Sequence, residues 1–152
     1  MRISARADYA IRAAAELAAA EGDHAVTAEA LAQAQGIPPK FLESILTSLR
    51  REHVVTSRRG KGGGYRLARP AAEVTLAEIV RVVDGPLVFV RGERPSELEY
   101  QGAAAGLLPV WVALRANVRA VLEEVTLADV AAGRLPAAVA GLVASDAAWE
   151  NP

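Results

Sequence analysis

Residues 37–67 read IPPKFLESILTSLRREHVVTSRRGKGGGYRL. Phe41, Leu42, Ile45, Leu46 and Leu49 recur at i, i+3, i+4 and i+7, which predicts a short helix with one apolar face. The opposite face carries Lys40, Glu43, Ser44, Thr47, Arg50 and Arg51. Pro38 and Pro39 suit a first helical turn, where a missing amide donor costs little. Val54 and Val55 open a strand, and Tyr65 to Leu67 form its return. Between them, Arg58-Arg59-Gly60-Lys61-Gly62-Gly63-Gly64 is a tip that can pass through positive φ and carries three cations. A helix offering polar groups, followed by a basic two-stranded wing, has the shape of a winged helix-turn-helix that reads DNA.

The upstream residues supply the rest of that unit. Ser4 is an N-cap candidate, and Tyr9, Ala10, Ala13, Ala14, Leu17 and Ala18 form the inward stripe of a first helix ending near Gly22. Thr27 caps a second helix, which Gly36 stops. Gly36-Ile37-Pro38-Pro39 then makes the turn between two short helices. Arg2 and Arg6 are placed to touch phosphate, although a plain surface position is the simpler reading.

Downstream, Thr75 caps a helix with Leu76, Ile79, Val80 and Val83 inward, and Asp84-Gly85-Pro86 ends it. Leu87 to Val90 reads as a short strand or an extended lead-in, and 91–106 as a polar loop long enough to suggest a purpose. A long helix follows from Pro109, with Val110, Leu114, Val118, Val121, Leu122 and Val125 as its stripe and Arg115, Arg119, Glu123 and Glu124 facing out. Such a helix packs against its copy in a second subunit or folds back onto its own domain. The expected fold is mainly α with a small β-wing. Its parts are a winged domain (1–86), a sensor-type loop (87–106), a dimerisation helix region (107–131) and a C-terminal tail (132–152).

Composition limits the function. The 152 residues are 52 % hydrophobic and contain no cysteine, which excludes disulfides and thiolate metal ligation. The net charge of −1 conceals an asymmetry. Residues 1–70 carry eleven basic and seven acidic side chains, residues 71–152 six and eleven. Within 38–69 the balance is eight to two, a local basic patch suited to nucleic acid. No apolar run of membrane length is expected, and the N-terminal residues lack a signal-peptide core, so a cytoplasmic protein is expected. Gly60-Lys-Gly-Gly-Gly lacks the GxxxxGK[ST] pattern of a phosphate-binding loop, and no catalytic constellation is evident, so no enzyme is expected.

Several stretches resemble the Rrf-two family of winged helix-turn-helix transcriptional regulators, of the IscR, NsrR and CymR type. They are Ile3-Ser4 with Asp8-Tyr-Ala-Ile-Arg12, Ile37-Pro-Pro-Lys-Phe-Leu-Glu43, Leu49-Arg50, Arg59-Gly-Lys-Gly-Gly-Gly-Tyr-Arg-Leu67, Val74-Thr-Leu-Ala-Glu-Ile-Val80, Asp84-Gly-Pro-Leu87, Trp111 and Val125-Thr-Leu-Ala-Asp-Val130. The resemblance implies a homodimer in which the long helices cross and two winged domains read a palindromic operator on double-stranded DNA. It places Glu43 as a base reader and Arg59 as the wing arginine of the minor groove, consistent with carboxylate acceptance from cytosine N4 and guanidinium fit to a narrow groove. Lys40, Arg50, Arg58, Lys61 and Tyr65 are then assigned to phosphates.

The departure is in the loop. Family members that hold an iron–sulfur cluster do so through three cysteines, and the equivalent positions here are Glu93, Glu99 and Ala105. No cofactor and no metal site is therefore expected. Asp8, Glu93 and Glu99 lack a diagnostic spacing for a hard metal, and His24 and His53 read as surface residues. Asp8 itself is expected in a surface or inter-subunit salt bridge. The input is expected either from a small-molecule effector near Tyr100, Leu107, Leu108 and Trp111, or from a partner protein docking on the loop or on Leu135–Ala148 with Trp149. Ordinary dimer packing of the same four residues is the competing reading.

Overall fold

The computed structural model describes residues 3–20 and 24–150. The expected helix end near Gly22 and the Arg2 phosphate contact lie outside them. The fold is mainly helical with one two-stranded antiparallel sheet.

Helix α1 (Ala5–Ala19) starts where Ser4 Oγ accepts from the Ala7 amide at 2.9 Å, satisfying one orphan donor of the first turn. Its buried face is Ala7, Ala10, Ala13, Ala14 and Leu17, while Tyr9 and Ala18 are only half-buried. Small alanines let other helices approach closely, which makes α1 the centre of the domain. It packs against α2 (Ala28–Gln35), α3 (Pro39–Arg51), α4 (Leu76–Asp84), α6 (Leu127–Ala132) and the second strand.

Thr27 caps α2 through Oγ1, and Gly36 ends it in the left-handed region at φ 60°. Ile37 is buried in the turn, and Pro39 occupies the first position of α3. Leu42, Ile45, Leu46 and Leu49 are buried as expected, but Phe41 is 57 % exposed. The apolar stripe of α3 is one residue narrower than the periodicity suggested. Phe41 leans instead on Tyr9 of α1, ring edge to face with centroids 6.4 Å apart.

Strands β1 (Val55–Arg58) and β2 (Gly64–Leu67) pair in the register Val55↔Leu67, Thr56↔Arg66, Ser57↔Tyr65 and Arg58↔Gly64. Val26 adds a bridge on the other side of β2: its amide donates to Tyr65 O at 2.8 Å and its carbonyl accepts from Tyr65 N at 2.7 Å. The wing is therefore tied to the segment that leads into α2.

Helix α5 (Leu107–Glu124) contains no buried residue. It touches α4 and the turn at Pro95–Glu97. Arg115, expected to face out, is half-buried and reaches Ser96 Oγ at 3.4 Å; Arg119 and Glu123 join an ion-pair cluster with Arg81 of α4. Gly102–Glu124 is also long and apolar enough, by length and composition, to cross a membrane, contrary to expectation. Its charges cluster toward the C-terminal half, leaving a long apolar window ahead of them.

Beyond α5 the chain returns to the core. Leu127 is fully buried, the Leu127 amide donates to Val74 O at 2.9 Å and the Leu76 amide to Val125 O at 3.0 Å. Thr126 and Asp129 form a capping box that starts α6. The tail carries α7 (Ala137–Leu142) and a final turn, with Trp149 76 % exposed.

Candidate nucleic-acid interface

Helix α3 buries four large aliphatic side chains, which fixes its rotation and leaves one polar face outward. Lys40 and Glu43 are exposed in its first turns, and Arg50 is exposed in its last. Glu43 shares a concavity with Glu29 and Gln33 of α2 and with the Gly36–Pro39 turn. The two helices thus present one continuous surface around that carboxylate.

The rotation of α3 is held by a contact that the sequence reading undervalued. Arg6, expected at most to touch phosphate, is half-buried and donates to Ser44 Oγ at 3.1 Å and Ser48 Oγ at 2.9 Å. Its Nε is buried without a partner among the described residues. The i, i+4 spacing of Ser44 and Ser48 was the available signal: two small polar residues aligned on one face suit a guanidinium arriving from outside. Asp8 pairs with Arg12 at 3.1 Å, and Arg12 donates to both the side chain and the backbone of Gln35. This chain of bonds ties α1 to the end of α2, beside the turn into α3.

On the wing, Arg58, Arg59 and Lys61 are all exposed, at the end of β1 and across the tip. Arg50 Nη1 lies 3.3 Å from Ser57 Oγ, linking the end of α3 to β1. The exposed Arg66, opposite Thr56 on the sheet, is a further cation of the wing that had no assigned role. Tyr65 is placed differently from the other candidates. It is half-buried, packs against the core, and its backbone carries the bridge to Val26. Gly63 and Gly64 do more than free the tip to approach a surface: a Cβ on Gly63 would lie 2.3 Å from Arg58 O, and one on Gly64 2.5 Å from Val26 O.

The remaining candidates lie elsewhere. Trp111 Nε1 donates to the Tyr100 hydroxyl at 3.0 Å, and the Arg91 guanidinium lies over the Tyr100 ring at 5.6 Å. Leu107 is exposed and Leu108 half-buried. The two aromatics therefore satisfy each other at the start of α5. Glu93, Glu99 and Ala105 are exposed, as are His24 and His53. Among the described residues no group of three His, Cys, Asp or Glu side chains could hold a metal ion.

Comparison with known proteins supplies the identity of this arrangement. The Rrf2 family, described as iron-dependent transcriptional regulators, matches residues 3–133. The Mycobacterium tuberculosis protein Rv1287, assigned as an HTH-type transcriptional regulator, is 51 % identical over 151 residues, covering 99 % of this chain and 94 % of its own. The structure of CymR, the global cysteine regulator of Bacillus subtilis, superposes with a TM-score of 0.76 at 30 % identity, covering 88 % of this chain and 98 % of its own. IscR of T. potens does so with a TM-score of 0.71 at 26 % identity, covering 99 % and 97 %.

An iron–sulfur cluster held by thiolates does not fit the donors present, since the chain has no cysteine and the loop positions offer two exposed glutamates and an alanine. The match also runs through the apolar Gly102–Glu124, which makes that helix part of the regulator fold rather than a membrane span. These relatives are regulators of transcription, not enzymes. With its exposed α3 face, basic wing and family match over most of its length, the chain belongs to the Rrf2 family of DNA-binding, winged-helix transcription regulators.

Proposed function

We propose that this regulator works as a homodimer on a palindromic operator and represses by occupying it, in the cytoplasm and without an iron–sulfur cluster. The observation that carries the reading is the pairing of an exposed basic reading surface with an uncovered apolar helix. Leu107, Val110 and Leu114, on one face of α5, are 39, 53 and 36 % exposed. A second copy would cover that face. Two winged domains related by a two-fold axis then meet half-sites one helical turn apart, roughly 34–36 Å.

Within each half-site α3 enters the major groove. Glu43 accepts from a cytosine amino group, and Arg59 enters an A·T-rich minor groove flanking it. Lys40, Arg50, Arg58 and Lys61 engage phosphates and set affinity. Tyr65 orders the wing, with its hydroxyl left for a phosphate.

Genome-wide mapping of bound sites, followed by anisotropy titration on the recovered operator and on random DNA, tests the reading. Arg59→Ala is expected to cost more on operator than on random DNA, and Lys61→Ala to weaken both alike. Equal losses for Arg59→Ala would remove its role in sequence choice. An affinity that does not fall with salt would remove the phosphate contacts.

A further inference from the structure

The junction between α4 and α5 holds a cleft of about 410 Å³. Arg81 lines it from α4, Arg94 from the loop, and Arg115 and Arg119 from α5, with Pro86 and Val88 as apolar floor. That volume falls within the roughly 300–1,000 Å³ range of small-molecule sites.

The charges in the cleft are unbalanced. Glu123 accepts from Arg81 and from Arg119 Nε at 3.1 Å, so one carboxylate serves two guanidinium groups. Among the described residues, Arg115 meets only the neutral Ser96 hydroxyl, at 3.4 Å. The Arg94 guanidinium has no ion pair among the described residues; its neighbour Glu97 accepts from the Arg94 amide instead, at 3.3 Å. Arg115 and Arg119 also stand four residues apart on one helix, a like-charge spacing that an anion between them would relieve. Two guanidinium groups facing a shared space over an apolar floor suit bidentate capture of an oxyanion.

We infer that this cleft binds a small dianion, phosphoryl or dicarboxylate, carrying a short apolar body. Arg94 and Arg115 take the charged head, and Pro86 and Val88 take the body. The occupant would join α4 of the winged domain to α5, where control of the domain's orientation would enter. Binding itself does not depend on the DNA-reading proposal, because the site is assayed without DNA.

Calorimetry on the full chain with phenyl phosphate, phthalate and inorganic phosphate tests it. The first two separate a phosphoryl head from a dicarboxylate, and the third lacks a body. At least one ring-bearing probe is expected to bind saturably, one per chain, more tightly than inorganic phosphate. Arg115→Gln and Arg94→Gln, each confirmed as folded by its melting curve, should each weaken that binding about tenfold. Arg134→Gln, which changes an exposed cation after α6 that does not line the cleft, should leave it unchanged. Absence of saturable binding for both ring-bearing probes would overturn the inference. So would binding that survives both cleft variants, or binding lost in Arg134→Gln.

Discussion

Arg6 Nη2 on α1 donates to Ser48 Oγ on α3 at 2.9 Å, across 42 residues of sequence. With its second bond to Ser44 Oγ, this guanidinium braces the reading helix against the central helix of the domain. The serine hydroxyls keep local acceptors of their own, Ser44 donating to Phe41 O and Ser48 to Ser44 O, both at 3.1 Å.

Arg6→Met therefore removes three bonds, including a long one of 3.5 Å to Ser44 O, without stranding a donor, and a cost of about 1–2 kcal/mol is expected. Urea unfolding should show a lower midpoint at an unchanged slope. An unchanged midpoint would exclude the brace.

Gly64 and Gly62 separate two reasons for glycine in the wing. Gly62 sits at φ 73° in open space, so Gly62→Ala meets only backbone strain, about 1 kcal/mol. Gly64 sits at φ 141°, where a Cβ would collide with the Val26 carbonyl. Gly64→Ala should cost more than ~2 kcal/mol, because the Val26–Tyr65 bridge must open as well. Thermal melts of the two variants test the order; equal shifts would contradict it.

The glycine result illustrates what the sequence made legible. The capped helices, the Gly36 turn and the wing follow from local signals: side-chain oxygens before helical runs, one left-handed glycine, alternating strand residues around a flexible tip. The exposure of Lys40 and Glu43 follows once Leu42, Ile45, Leu46 and Leu49 are buried on the other side of α3. What stayed hidden depends on distant partners. Phe41 sits next to the buried stripe and is drawn off it by Tyr9. Arg6 finds its serines, Arg115 turns toward Ser96, and Gly64 meets Val26, all across loops whose path periodicity does not describe.

Glu123 should make stability acid-sensitive. Hydrogen bonds from Arg81 and then Arg119 hold its carboxyl below the ordinary 4.5. The folded state thus binds fewer protons than the unfolded state in that range, so the contribution is complete above the ordinary value and disappears as pH falls through the folded one. Glu123→Gln should be less stable than the parent near neutral pH, and the gap should close as pH falls below the ordinary carboxylate range. Added salt should shrink it, because the group is partly exposed. Denaturant titrations at a series of pH values measure the gap; parallel pH curves would show that the cluster adds nothing. Asp129, held low by Thr126, has the same sign in both proteins and cancels in the comparison.

Val110 is the most exposed of the large apolar residues on α5, at 53 %. One turn away along the same face lie Leu107 and Leu114, and none of the helix's residues is buried within the single chain. If a second copy covers this face, a charge at Val110 is desolvated without a partner on each side of the two-fold axis, at a cost of several kcal/mol. Val110→Glu should then sediment as a monomer at concentrations where the parent is a dimer. Its winged domain should still fold, because the buried core of α1, α3 and α4 does not involve Val110. Operator affinity should fall steeply while binding to an isolated half-site changes little, since linkage of the two domains is what is lost. A Val110→Glu protein that sediments with the parent would place the subunit contact elsewhere, and a parent that is monomeric throughout would remove the dimer altogether.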